Sequence, residues 1–516
     1  MKNIALLTVA ACCLRAQSEG LGRIDFPTSG SPEAQEHFLR GVLFLHSFEY
    51  DDARQQFQIA RKIAPGFAMA AWGEAMSYNE PIWFAQNRDS ARAALKRLPQ
   101  TPTEREKDYL QAVEVLYGEG SKEGRDVAYS EAMRRLFEKY PGDPEAASFY
   151  ALSLLGACHR GRDFRVYMKA AAILEETLAR NPEHPGALHY LIHCYDDPVH
   201  APLGLRPARL YAKVAPQSAH ALHMPAHIFV ALGMWEEAVA SNEASWAASE
   251  ARVKRNRLPL EERGFHSLWW LEYGYLQQGR LADALRALST VERDAKTSPS
   301  RLVRFHLAQM RATYMIETGQ PYPASVDTAD LDLAAVAADL LATGIVAANR
   351  GERAEAERSL SRLRNLKRET APDQSGPKHN HVFAGDIQTI DIAEKELEAT
   401  LLMADGKTSS AIEAMKKATA VEDSMSVEFG PPSPPKPAHE LFGEILLQLG
   451  RAEEARRQFE LALVRTPKRA LSVLGLARAL TQSGNAAGAR QSYTELREIW
   501  RSADKDLRKA LDETLP

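Results

Sequence analysis

The feature that most restricts how this chain can fold is an interval of thirty-four residues. His189 and His193 recur as His223 and His227, and Gly450, Ala455 and Phe459 recur as Gly484, Ala489 and Tyr493. Agreement of several marker residues at one offset means that the chain is assembled from similar units, and a unit of this length holds two helices. Within each histidine pair the i, i+4 spacing stacks both imidazoles on one helix face. A chain of 516 residues exceeds what one compact core usually supports. Stacked helix pairs avoid that limit, because each unit buries its apolar face against the next.

Other segments carry the same markers. EHFLRGVLFLHSFEYDDARQQFQIARKIAP holds Gly41, Phe44, Ala53, Phe57, Ala60 and Pro65, and the C-terminal end holds Gly443, Gly450, Ala455, Phe459, Ala462 and Pro467. Small residues let two helices approach, aromatics fill the next layer, and proline ends the unit. Looser units follow between the ends, one with Gly279 and Ala284 in register and another with Gly406 and Ala411. No strand-period segment of any length interrupts them, so the reading is all-α.

These residues resemble the tetratricopeptide-repeat (TPR) superfamily over nearly all of the chain after its N-terminal segment. The resemblance implies a right-handed superhelical solenoid of antiparallel helix pairs, with the first helix of each pair lining the concave side. The segment HALHMPAHIFVALGMW is similar to that of exported bacterial repeat proteins. The expected organisation is a signal peptide at 1–16, a loose lead-in at 17–32, N-terminal repeat helices at 33–140, and central repeats with the histidines at 141–250. Irregular repeats follow at 263–429, then a stiff proline-rich linker at 430–437 and a C-terminal repeat pair with a capping helix at 438–516.

The opening MKNIALLTVAACCLRAQ has Lys2, an apolar run over residues 4–14 and a small residue at Ala16, the pattern of a secretory signal peptide. Val9-Ala10-Ala11-Cys12 also resembles a lipoprotein cleavage box, which would place a lipid anchor on Cys12. The expectation is an exported protein, periplasmic or extracellular. The run is too short to span a bilayer, and no later segment reaches about twenty apolar residues. Formal net charge is −4 with acids and bases intermixed, which gives no basic footprint for nucleic acid. Cys158 and Cys194 stand outside any CxxC; they suit either a disulfide in an oxidising compartment or two buried thiols.

Function concentrates in the central repeats, where seven of the fifteen histidines fall between His184 and His227. The resemblance implies that His189, His193, His223 and His227 share one concave stripe, with Asp196, Asp197 and His200 as further candidate ligands. Imidazoles from adjacent helices could meet around one ion at about 2.0–2.1 Å, and this donor set suits zinc, copper or iron. The carboxylates could instead orient rings by accepting their other N–H. His220, His266, Trp269 and Tyr273 fall on the same stripe as candidate groove contacts for a protein, a peptide or a small ligand. Repeats also keep histidine for packing alone, so the residues leave two classes open. One is an exported scaffold with a His-based metal site; the other is a metalloenzyme using the groove site for hydrolytic or oxygen chemistry. Neither HExxH nor GxSxG occurs, and no catalytic residue is identifiable. His379 and His381 in KHNH read as part of a polar loop.

Overall fold

The computed structural model describes residues 20–96, 103–369, 384–427 and 429–514. The signal-peptide and Cys12 expectations, and His379 and His381, lie outside the described residues. The chain divides into two compact units, residues 1–228 and 229–516. Each is built from sequential helices packed antiparallel, and the one strand pairing among the described residues is the short Asn79–Glu80 with Ala85–Gln86. Among those residues no helix is long and apolar enough to cross a membrane.

The first unit contains α1 (Pro32–His46), α2 (Tyr50–Ile63), α3 (Ala68–Met76), α4 (Arg88–Leu95), α5 (Glu104–Leu116), α6 (Lys122–Lys139), α7 (Pro144–Gly156), α8 (Phe164–Arg180), α9 (Pro185–Tyr195), α10 (Ala201–Val214) and α11 (Ala219–His223). A further helix, α12 (Pro225–Ala231), begins in this unit. Side chains state where many of these start. Ser31, Asn87, Thr103, Ser121, Asp143, Asp163 and Ser218 each accept a backbone N–H at a helix N-cap, and Pro32, Pro144 and Pro185 occupy the first turn, where a missing N–H costs nothing.

The repeat markers do what their sizes suggest. A Cβ on Gly41 would lie 2.7 Å from the Phe57 ring, and one on Gly73 would lie 2.3 Å from the same ring. Phe57 is thus clamped between the first helix of its own pair and the first helix of the next. The expected loose lead-in is docked instead. Phe26 is buried against Phe38, Trp72 and Tyr109, and the Arg23 N–H donates to the Glu183 carbonyl at 2.9 Å. Burial of one aromatic ring is enough to hold a segment that has no periodicity of its own.

The second unit contains α13 (Trp235–Asn256), α14 (Phe265–Gln277), α15 (Leu281–Thr297), α16 (Arg301–Thr318), α17 (Leu333–Asn349), α18 (Arg353–Glu369), α19 (Ala384–Ala404), α20 (Thr408–Ser424), α21 (Ala438–Gln448), α22 (Ala452–Arg465), α23 (Ala470–Gln482), α24 (Ala486–Ile499) and α25 (Lys505–Thr514). Phe459 repeats the Phe57 arrangement, with Gly443 and Gly475 leaving 2.8 and 2.2 Å to its ring for any added Cβ. Gly450 and Gly484 turn out of their helices at φ of 73° and 80°, which a side chain would strain.

Two stretches of this unit differ from expectation. Helix α13 continues past residue 250, where the central repeats are expected to end, to Asn256, and the proline run is not a free linker. Pro431, Pro434, Pro435, Lys436 and Pro437 are buried in the unit. The reason is ionic. Lys436 Nζ donates to Glu440 at 2.9 Å and to Glu444 at 2.6 Å, while Arg469 donates to Glu440 at 2.8 Å, to Tyr273 Oη at 3.3 Å and pairs with Glu317. Burial alone would raise the Glu440 carboxyl, but Arg469 and then Lys436 hold it at about 2.

His306 of α16 is buried between the Phe265 and Phe305 rings, with Nδ1 donating to the Leu302 carbonyl at 2.8 Å. Burial pushes its pKa down to about 4, against that one favourable hydrogen bond. The unfolded chain therefore takes up the proton first, near 6.5, and this group's contribution to stability is lost as pH falls from about 6.5 to about 4. His306→Phe is expected to make the pH dependence of denaturant unfolding shallower in that window by about 1.4 kcal/mol per pH unit. An unchanged slope would show that the ring is not held neutral.

Candidate metal centre

Helix α9 is buried along its whole length, packed against α1, α7, α8 and α10. Its sequence PGALHYLIHCY is apolar nearly all round, as a helix enclosed on every side must be. His189 and His193 are thereby carried into the interior, 0% and 3% exposed. The other histidines arrive on α11 and α12. Pro225 has no N–H and closes the ladder, so the helix stops at His223 and restarts. His223 and His227 still share a face across this break, with their Nε2 atoms 3.1 Å apart.

Hydrogen bonds fix which nitrogen each ring presents. His189 Nδ1 lies 2.6 Å from the His46 carbonyl, so Nδ1 carries the proton and Nε2 the lone pair. Asp196 Oδ2 accepts from His193 Nδ1 at 3.2 Å and from His227 Nδ1 at 2.9 Å, which assigns the same tautomer to both. The carboxylate is itself anchored, because its other oxygen pairs with the buried Arg162 guanidinium, which lies over the Tyr167 ring. Burial would raise the Asp196 carboxyl, but Arg162 and the two histidines hold it far below the usual range. Three rings thus hold Nδ1 protonated and Nε2 with its lone pair, the arrangement by which outer carboxylates and carbonyls orient metal-binding imidazoles.

These nitrogens converge in two groups. His220 Nε2 lies 3.1 Å from His189 Nε2, and the ligand atoms of His189, His193 and His220 all fall within 4.8 Å of one another. His223 and His227 form the second pair. Two nitrogens sharing one ion at about 2.0–2.1 Å stand about 2.9 to 3.4 Å apart, depending on the bond angle. Both 3.1 Å separations fall in this range, which also accommodates an N–H···N bond between neutral rings.

Neutrality is enforced. Burial, followed by the neighbouring His193, puts His189 well below the ordinary histidine value; burial and His189 do the same for His220. Burial brings His227 down to about 4, although Asp196 pulls it upward. Neutral imidazole is the form that binds a metal. Phe48 covers the first group. Its ring centroid is 4.3 Å from that of His189 and 5.5 Å from that of His220, and its backbone sits at φ 54°, an uncommon conformation for an aromatic residue.

The candidate residues from the sequence distribute unevenly. His189, His193, His223 and His227 do lie together. His220, expected as a groove contact, joins His189. Asp196 accepts from two of these rings, and its carboxylate lies with the His193 and His227 nitrogens within 4.8 Å of one another. Asp197 and His200 do not join the centre: Asp197 accepts from His200 Nδ1 at 2.9 Å and from the Val199 and His200 amides, and so builds the turn after α9. In the second unit, His266 and Trp269 are half-buried on α14, and Trp269 Nε1 donates to Thr313 at 3.4 Å. Tyr273 is core, with its ring against Trp235 and its hydroxyl on Arg469, so it does not line a groove. Cys158 and Cys194 are both free thiols.

A second buried cluster was not legible in the sequence. His46 Nε2 donates to Glu145 at 2.6 Å and Nδ1 accepts from Tyr190 Oη at 2.9 Å. His184 Nε2 lies 3.2 Å from the other Glu145 oxygen, while its Nδ1 accepts the Ala187 N–H and caps α9. Burial would raise Glu145, yet His46 and His184 hold it at about 2. Every ring nitrogen here faces a protein group, so the trio braces α9 against α1 and α7. His46 and Phe48 likewise come from elements far away in sequence, and no spacing rule marks them, whereas Arg162 stands one repeat interval before Asp196.

Residues 441–504 match the family model described as tetratricopeptide repeat. A search of curated proteins gives no match. Similar solved structures include the human IFIT1 dimer with m7Gppp-AAAA, at 14% identity and a TM-score of 0.37 over 95% of each chain. Another is the Cut9–Hcn1 hetero-tetramer of the APC/C, at 12% identity and a TM-score of 0.33 over 99% of this chain and 82% of that one. The family match is to the tetratricopeptide repeat and covers residues 441–504, and the same architecture of helix pairs with an aromatic ring clamped between glycines recurs at the other end of the described chain.

Proposed function

We propose that this protein is an exported helical-repeat scaffold that holds a divalent transition-metal ion in its first unit and receives a protein, peptide or small ligand on its repeats. The observation that carries the metal reading is the fixed tautomer of His189 and His193, each donating through Nδ1 and presenting Nε2 beside His220. A ring kept for packing alone needs neither a specified nitrogen nor a neighbour at ligand distance. Export is supported by the tripartite N-terminal pattern. The donor set of neutral imidazoles suits zinc, copper, nickel or iron.

Elemental analysis of the full chain, purified without chelator, tests the reading. At least one equivalent of transition metal per chain is expected, lost in the double variant His189→Ala, His193→Ala. Adding zinc at a hundredfold excess over Kd should stabilise the unmodified chain by about 2.7 kcal/mol. Absence of stoichiometric metal, together with a melting temperature indifferent to zinc and to chelator, would leave a scaffold alone.

A further inference from the structure

The two 3.1 Å contacts between imidazoles do not share a ring: one joins His189 to His220, the other His223 to His227. We infer that the first unit binds two metal ions, one among His189, His193 and His220 and a second at His223 and His227. This rests on the metal reading above and extends it.

Each group contains a ring whose Nδ1 proton is committed to an acceptor, His189 to the His46 carbonyl and His227 to Asp196. In each, that ring presents a lone pair toward its neighbour's Nε2. Without metal the neighbour, His220 or His223, donates its Nε2 proton across the gap. With metal that neighbour shifts its proton from Nε2 to Nδ1, so both Nε2 lone pairs point at the ion and no net proton is released. The exchange changes no ring's net charge.

Asp196 links the centres. Its Oδ2 holds His193 of the first group and His227 of the second, and Oδ1 is tied to Arg162. One carboxylate already paired with a guanidinium offsets little of the charge of two dications. Like charges at such close range oppose each other, so the ions bind in two steps, the second weaker. His223 and His227 are nearly inaccessible at 1% and 2% exposure, whereas His220 is half-buried. The first group is therefore the first to be reached from solvent, and with three rings against two it is the tighter site.

The test is a zinc titration of the metal-free full chain against a chromophoric chelator, with stoichiometry checked by equilibrium dialysis and helicity by circular dichroism. Two equivalents in two steps are expected for the unmodified chain. His223→Ala should remove the weaker step and keep the tighter, and His220→Ala should weaken the tighter step. One equivalent that survives His223→Ala overturns the second site and leaves the first standing. One equivalent lost in either variant means a single shared ion and also overturns it. No zinc at all removes the underlying metal reading as well. The count for the unmodified chain is decisive by itself if a variant fails to fold.

Discussion

Asp196→Ala is expected to destabilise the first unit by about 3–5 kcal/mol, the cost of removing one partner from a buried charged network. Arg162 keeps Asp197, at 3.5 Å, as an anionic neighbour but loses its closest one, and its side chain is 4% exposed. The same change deprives His193 and His227 of the acceptor that selects their tautomer. Zinc affinity should fall by about 10- to 100-fold, the usual effect of deleting an orienting partner. Asp196→Asn separates the two consequences. It keeps the volume and one carbonyl acceptor but loses the charge, so affinity should drop while more of the fold is retained. Denaturant unfolding of the metal-free chain reads the first effect, and zinc titration reads the second. Unchanged zinc binding in both variants would remove Asp196 from the site.

The second large effect lies in the other unit. Arg469 is fully buried and serves Glu317, Glu440 and Tyr273 together. Arg469→Met keeps the bulk but leaves the Glu317 carboxylate without its guanidinium and Glu440 with Lys436 and the Ser472 hydroxyl alone. A loss of about 3–5 kcal/mol is expected. The Glu440 carboxyl, held at about 2 in the intact network, should move upward when its strongest favourable neighbour is gone. The variant should therefore lose further stability on acidification at a higher pH than the parent chain. The triple change Arg469→Met, Glu317→Gln, Glu440→Gln should recover part of the loss, since no buried charge is then left unopposed. Equal stability in parent and single variant would mean that the network adds nothing net.

Much of this architecture is legible from spacing. The pattern of small and aromatic markers places Phe57 and Phe459 at glycine-lined helix contacts, and the thirty-four-residue interval with i, i+4 spacing brings His189, His193, His223 and His227 together. The finer arrangement is not legible, because it depends on groups that no periodicity links. The acceptor for His189 is a backbone carbonyl 143 residues earlier. The role of Asp196 depends on where Arg162 turns after a non-helical link. His220 was separable in principle, since positions 220, 223 and 227 share a helix face, but the sequence does not say that His189 meets it. The proline run reads as a spacer by composition; the charges of Lys436 and Glu440 fold it inward instead.

The turn at residues 47–49 joins α1 to α2 and leads three lives at once. His46 directs its carbonyl at His189 just before it, Phe48 lies against that ring, and Glu49 receives the Ser218 hydroxyl and the His220 amide. One extra residue inserted there would leave the bodies of both helices intact and disturb only their ends, where the Phe48 and Glu49 amides donate to the Leu45 and Phe44 carbonyls and the Glu49 carbonyl accepts from Ala53. It would nonetheless swing the carbonyl away from a ring that lies far along the chain, and His189 would be free to relocate its proton. A connection that tolerates lengthening in most helical hairpins is here the part whose length decides which atom a distant imidazole offers.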